Sequence, residues 1–309
     1  MMHTWKVPHL AKGLLTYVPA VNRWRAHTGA TGGTDSVRYC YAVWLRHLVT
    51  LSAYGFHLPG ARVAELGPGD SVGTGIAALL SGATAYTGID VVRYAAKDDA
   101  PRFVQTLAEM FASREPIPDH SEFPRVRPRL ADYSFPSRLI EAEGVPERAA
   151  RLVRALTAGD GDVFRYEAPM TSVNAVAPGS LDLIMSQAVL QYVEALPQAY
   201  ASMYAWLKPG GFCSHATGFG ANDLSPFWNG HWAYSDTEWQ LVRGAREYLL
   251  NREPLSTHLS LARSVGFSVL HCDVEYDHSG LPIERLDPRF QALDRDDLSA
   301  RGVMLVLRK

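Results

Sequence analysis

The residues with the types and spacing for chemistry fall into two groups. The first is Gly67 and Gly69, with Asp90 21 residues beyond Gly69. Without a Cβ, the glycines let the backbone turn sharply and approach a ligand closely. An acid at the end of the next strand accepts hydrogen bonds from ribose hydroxyls, so this pair points to a nucleotide-like ligand. The second group is His215 and His231, with His258 inside a predicted helix. An imidazole titrates near neutrality and can take a proton from a hydroxyl. His215 closes a predicted strand, where ligands gather in parallel sheets. His231 lies in Trp228-Asn229-Gly230-His231-Trp232, whose aromatic and polar groups suit a substrate pocket. Gln191, Trp228, Trp232 and Tyr234 are the expected substrate contacts.

These residues need elements to hold them. Ala61 to Leu66 is a short apolar run suited to a buried parallel strand, and Ile76 to Leu80 suits a helix starting near Ser71 to Gly75. Ala85 to Ile89 is a second strand ending at Asp90. A strand, a glycine turn and a helix N-terminus form a cradle for an anionic or nucleotide ligand. Further strands are expected at Val163–Tyr166, Leu181–Gln187, Phe212–Ala216, Phe267–Tyr276 and Val303–Lys309, the last two pairing antiparallel at one edge. Helices alternate with them at Leu196–Leu207, Asp236–Ala245 and Leu255–Val265. The expected fold is α/β, a Rossmann-like, mostly parallel seven-stranded sheet with helices on both faces.

Before the first strand, Asp35 or Ser36 can cap a helix running to about Tyr54, with Tyr41, Trp44, Leu45, Leu48 and Leu51 on one face. Residues 1–58 are expected to be an N-terminal helical cap, and residues 59–309 the main domain. The glycine-rich loop from Thr28 to Asp35 is either a ligand cover or an ordinary surface loop. Residues 95–160, with helices at Phe103–Ala112 and Glu147–Leu156, interrupt the alternation as a lid-like insertion or a dimer contact. Residues 214–235 are the expected substrate loop. Arg23, Arg25 and Arg38 form either a solvated face or a phosphate contact.

Composition narrows the class. Of 309 residues, 47% are hydrophobic, enough for a full core. A net charge of −2 gives no general attraction to nucleic acid or an anionic membrane. The three cysteines, Cys40, Cys213 and Cys272, are scattered, which argues against a disulfide framework or a zinc site and suits a cytoplasmic protein. No metal is expected. No apolar run is long enough to span a membrane, and Lys12 and Pro19 interrupt the only early apolar stretch.

The core resembles a class I S-adenosylmethionine-dependent methyltransferase of small-molecule type. The resemblance rests on Glu65-Leu66-Gly67-Pro68-Gly69, Asp90, Glu167-Ala168, Leu181-Asp182-Leu183-Ile184-Met185-Ser186 and Leu207-Lys208-Pro209-Gly210-Gly211, in order over residues 61–217. It implies S-adenosyl-L-methionine as cofactor. Glu65, Gly67, Pro68 and Gly69 would face its methionine part, Asp90 its ribose hydroxyls, with Val91 beside it among the cofactor contacts, and Glu167 or the Ala168 backbone its adenine. Ser186 and Gln187 would line the methyl-transfer site. Ser71 stands where the family often has a third glycine; it can cap the helix, and Gly73 can relieve packing nearby. O-methylation of a sugar, nucleotide-sugar or natural-product intermediate is the favoured reaction, with N- or C-methylation as alternatives and a homodimer left open.

Two other classes fit parts of the pattern. Gly69, Gly73 and Gly75 with Tyr204 and Lys208 formally match a short-chain dehydrogenase, but Pro209-Gly210-Gly211 ends the helix where that enzyme needs it to continue. A non-catalytic subunit that only binds the cofactor would explain the glycine turn and leave the furnished loop at 214–235 without a purpose.

Overall fold

The computed structural model describes residues 4–18, 33–95, 99–169 and 176–309. Their helices and strands, in order, are α1 (Val7–Leu15), α2 (Val37–Ser52), β1 (Arg62–Leu66), α3 (Gly73–Ser81), β2 (Ala85–Ile89), α4 (Ala100–Ala112), α5 (Val145–Ala158), β3 (Phe164–Glu167), β4 (Leu181–Gln187), α6 (Leu196–Trp206), β5 (Leu207–Gly218), α7 (Asp236–Arg243), α8 (Leu255–Ser264), β6 (Ser268–Tyr276), the short helices α9 (Pro288–Gln291) and α10 (Arg295–Ser299), and β7 (Ala300–Arg308). The strands form one seven-stranded sheet in the order β3-β2-β1-β4-β5-β7-β6. Its first five members are parallel, and β7 runs antiparallel between β5 and β6. Strand order reverses between β1 and β4. That switch point opens a crevice at the strands' C-terminal ends, where ligands bind in such sheets.

Alternation along the strands separates two cores. Val63, Tyr86, Leu183, Met185, Phe212 and Ala216 pack under α2, α3, α4 and α5. Ala64, Ile89, Ile184, Cys213, Leu305 and Leu307 pack under α6 and α8. In α2 the Ser36 hydroxyl accepts from Tyr39 N, the cap expected of that serine, and every residue from Cys40 to Leu48 is buried. Arg46 within it is fully buried. Its guanidinium donates to the carbonyls of Pro118 and Val126 and lies 5.3 Å from the Tyr133 ring centroid, so it fixes the loop after α4.

Within residues 95–160, expected as a lid-like insertion or dimer contact, α4 and α5 pack into this first core. Phe103, Val104, Leu107, Met110 and Phe111 of α4 and Val145 and Leu152 of α5 are buried with α2 and α3. Such an apolar stripe needs a partner surface, and α3 provides it. The expected N-terminal cap also divides. α2 covers the sheet, whereas residues 4–18 pack elsewhere, with Lys6 donating to Ala233 O and Glu238 and α1 lying against α7. Arg38 is held by Glu115 and Glu122 on the surface, which is the solvated-face reading. Arg23, Arg25 and most of the 28–35 loop lie outside the described residues.

The dehydrogenase reading fails on geometry. Tyr204 sits in α6, but α6 ends at Trp206 and Lys208 already belongs to β5, where its Nζ donates to both carboxylate oxygens of Asp182 at 2.8 Å.

Candidate functional site

The turn after β1 meets the turn after β4 at the switch point. Gly67 has φ +62° and Gly69 φ +76°, both in the left-handed region. A Cβ on Gly67 would come within 2.6 Å of a Val189 methyl, so the two turns touch only because residue 67 has no side chain. Gly73 and Gly75 serve packing. A Cβ on Gly73 would crowd Phe103 and Cys40, and one on Gly75 would overlap the Tyr86 ring. The Ser71 hydroxyl accepts from Gly73 N at 3.1 Å and donates to Thr34 O, while the Thr34 hydroxyl accepts from Asp70 N at 2.8 Å. The N-cap of α3 is Val72, not Ser71, but from one position earlier Ser71 satisfies the first helical amide, and the end of the glycine-rich loop lies directly on the ligand turn.

Asp90 follows β2 with its carboxylate beside that turn, accepting from Gly69 N at 3.3 Å and Val91 N at 2.8 Å. Burial pushes its carboxyl above the ordinary value, and the hydrogen bonds from the Gly69 and Val91 amides oppose this. Val91 next to it is 56% exposed, an apolar side chain left uncovered at a strand end. A carboxylate that only accepts, an uncovered apolar side chain and a side-chain-free turn fit a ribose, an adenine and a chain that must pass close to the backbone.

Glu65 points to the other face of β1, where the Tyr86 hydroxyl donates to it at 2.7 Å. Complete burial raises its carboxyl to about 7 against hydrogen bonds from Tyr86 and Thr74. This carries a pH consequence. The folded protein holds a proton on Glu65 that the unfolded chain releases near 4.5, so stability falls as pH rises from about 4.5 to 7, and the full cost is present above 7. Glu65→Gln keeps the acceptor for Tyr86 and removes the charge. The cofactor-free variant should gain about 3 kcal/mol of stability at pH 8, read as a higher Tm, and match wild type at pH 4.5. Equal gains at both pH values would mean that Glu65 is not buried as a charge.

At the end of β3, Glu167 pairs with Ile89, and its carbonyl accepts from Asp90 N at 2.9 Å. Its side chain turns outward to Arg165, and Ala168 O accepts from Arg93. At the end of β4, Ser186 and Gln187 point to opposite faces. The Ser186 hydroxyl is hydrogen-bonded to His215 Nδ1 at 2.8 Å. On the other face His47 Nε2 donates to Gln187 Oε1 at 3.1 Å, leaving Nδ1 to accept from the Ser214 hydroxyl at 2.7 Å. His47 is a residue that the sequence did not single out. Its signal was a polar side chain in a helix with no polar face.

His215 needs correction as the candidate base. It is fully buried, and desolvation drives its pKa to about 3, helped by neighbouring His47 and His258. A ring that resists protonation so strongly is a poor proton acceptor at neutral pH. It orients Ser186. His231 has the same weakness, lowered to about 3 by burial and then by Arg252. It is neutral and able to accept a hydrogen bond.

The expected substrate residues divide sharply. Gln191 and His231 line a narrow crevice at the C-terminal end of β5, together with Gly218, Phe219, Gly220 and residues 250–253. Trp232 and Tyr234 do not. Both are fully buried. Trp232 stacks on Phe290 at 5.8 Å with its indole N–H donating to Arg252 O, and the Tyr234 hydroxyl donates to Leu224 O. Trp228 packs edge-on against Trp232. These aromatics form a local core that supports the crevice from behind. Residues 250–253, unremarked in the sequence, close it. Asn251 ties them to the turn after β4 by donating to Leu190 O and Val193 O, while Arg252 is held by Tyr234 O and Asp236. Among the described residues, no group of three His, Cys, Asp or Glu side chains could hold a metal ion, and no helix is long and apolar enough to cross a membrane.

A family model described as a methyltransferase domain matches residues 137–214. No curated protein sequence matches the chain at a significant level. Among similar solved structures, an S-adenosylmethionine dependent methyltransferase from Mesorhizobium loti is 15% identical, covering 85% of this chain and 98% of its own, with a TM-score of 0.43. Phosphoethanolamine N-methyltransferase 2 from Haemonchus contortus, with S-adenosyl-L-methionine, is 14% identical over 91% of this chain and 60% of its own, at 0.42. Geranyl diphosphate C-methyltransferase from Streptomyces coelicolor A3(2) is 12% identical over 85% and 77%, at 0.43. The sheet with its glycine turn at the switch point thus carries, over residues 137–214, a segment that matches a methyltransferase domain.

Proposed function

We propose that the chain methylates a hydroxyl group on a small molecule, a sugar, nucleotide-sugar or natural-product intermediate. The observation that carries this reading is the polar crevice at the end of β5, beside the switch point, in which Gln191 and a neutral His231 keep buried polar atoms without partners. Gly67, Pro68 and Gly69 border the methionine part of the cofactor, in a turn that Glu65 steadies through Tyr86. Asp90 accepts from the ribose hydroxyls. Val91 covers the adenine, with Glu167 and the Ala168 backbone at its edge. Ser186 and Gln187 face the transfer site, their side chains fixed by His215 and His47. When bound, the cofactor supplies a methyl group already activated on a sulfonium.

The protein's remaining work is alignment. It must hold the acceptor oxygen in line with the methyl group and accept its hydrogen bond. Neutral His231 orients the hydroxyl through that hydrogen bond, and as the C–O bond forms and the methyl–sulfur bond breaks the hydroxyl proton leaves to solvent water. The test is incubation with S-adenosylmethionine carrying an isotopically labelled methyl group and an acceptor panel of sugars, phenols and amines, with products read by mass spectrometry. Label in methyl ethers is expected. Label confined to amines or carbon would replace this reading with N- or C-methylation.

A further inference from the structure

We infer that the chain carries a second ligand site, apart from the methyl-transfer site, which takes a small zwitterion: a free α-amino acid with an apolar side chain. The site is a cleft of about 210 Å³ between the loop after α4 and the antiparallel edge β6–β7. At ~30 Å³ per water, it has room for about seven waters, which suits a molecule of that size.

The β6–β7 register sets one wall. Asp273 lies opposite Met304 and Glu275 opposite Gly302. Residues directly opposite in a pair share a face, so both acids lie on the side of Met304, which belongs to the core under α2. Met304 gives the cleft an apolar floor, and Gly302 adds no side chain to fill it. Arg127 and Arg129 come from the loop.

That loop is set in place by the core. Arg46 of α2 is fully buried and donates to the carbonyls of Pro118 and Val126. Burying a guanidinium is costly even when it is hydrogen-bonded. Here it goes to holding a loop over the far edge of the sheet. Tyr39 packs edge-on against Phe123, and Arg38 engages Glu115 and Glu122. The two arginines of the cleft are therefore carried by a loop already positioned before a ligand arrives.

The charges choose the ligand. Arg127 and Glu275 pair with each other. Arg129 and Asp273 line the same cleft, and neither has a hydrogen bond or ion pair among the described residues. They are too far apart to satisfy one another. An anion would suit Arg129 and be repelled by Asp273, and a cation would meet the reverse. A carboxylate and an ammonium held on one carbon answer both. In sheet order β7 lies two strands beyond β4, and β6 three. At about 4.8 Å per strand, the cleft is roughly 10–14 Å from the transfer site at the end of β4.

Leucine, leucinamide and N-acetylleucine share one side chain and carry both charges, the ammonium alone and the carboxylate alone. They are titrated calorimetrically at pH 6, below the α-amino pKa of about 7.7. The protein is saturated with S-adenosylhomocysteine, so that the cradle read as holding the cofactor's methionine part is filled. Wild type should bind leucine at least about tenfold more tightly than either analogue. Arg129→Gln should weaken leucine about tenfold and leave leucinamide unchanged. Asp273→Asn should weaken leucine by a similar factor and leave N-acetylleucine no weaker. Both side chains are exposed, so neither substitution threatens the fold. An analogue binding as tightly as leucine, no leucine binding by wild type, or variants that bind leucine as wild type does would each overturn the inference. So would leucine binding to the free protein that disappears in the loaded one, because leucine would then have occupied the cofactor cradle. The methyl-transfer reading fails separately, if S-adenosylhomocysteine does not bind; the two variants, titrated without it, still place leucine in the cleft or exclude it.

Discussion

Asp90→Ala is expected to weaken S-adenosylmethionine binding about 100-fold, with little change in Tm. Losing a charged acceptor from a bound hydroxyl pair costs roughly 1.5–3 kcal/mol, and each 1.4 kcal/mol is about tenfold in affinity. The fold itself asks little of this carboxylate. It accepts from Gly69 N and Val91 N, and burial already works against its charge. Asp90→Asn separates the two contributions. It keeps an acceptor for the backbone amides while removing the charge, and should lose an intermediate amount of affinity. Calorimetry with S-adenosylmethionine and S-adenosylhomocysteine reads both variants. If Asp90→Ala bound the cofactor as wild type does, Asp90 would be a structural cap on the glycine turn, and the ribose would have to lie elsewhere.

The parts of this site legible in the sequence are those whose cause is local. Gly67 and Gly69 announce a turn because their positive φ angles exclude most other residues. Asp90 announces a strand end because an acid without a partner is costly inside a buried parallel strand. β4 was readable over its full length because Leu181 and Leu183 to Met185 are apolar and a Pro-Gly turn precedes them. The antiparallel edge was expected of the two late strand patterns, and β6 and β7 pair that way. What was not legible depends on residues far along the chain. His47 is explained by Ser214, 167 positions away. Trp232 and Tyr234 read as a pocket because aromatic residues crowd a loop in the same way whether they meet a ligand or each other. Phe290, Leu281 and Leu286, all downstream, decide for a core around Trp232. The crevice wall at 250–253 carries no motif, since its shape comes from Asn251 reaching back to Leu190 and Val193.

The glycines of α3 allow a sign test of this division. In an exposed helix, glycine to alanine gains roughly 1 kcal/mol from propensity. Gly75→Ala should do the opposite. Its new Cβ would overlap the ring of Tyr86, which is 1% exposed, packed on Phe164 at 5.5 Å and held by its hydroxyl to Glu65. The ring has no direction of retreat that keeps all three. Either α3 lifts from the sheet or Tyr86 leaves Glu65 as an unsatisfied buried carboxyl. Overpacking of this kind costs about 3 kcal/mol or more, which outweighs the propensity gain and should lower Tm by roughly 6–10 °C in a chain of this size. Because α3 carries the end of the ligand turn, cofactor affinity should fall with it. The double variant Gly75→Ala with Tyr86→Ala isolates the clash: in the Tyr86→Ala background the Gly75 substitution should be nearly neutral, a coupling that independent sites would not show. A rise in Tm for Gly75→Ala alone would mean that propensity wins, and that the closeness of α3 to β2 is not what glycine at this position provides.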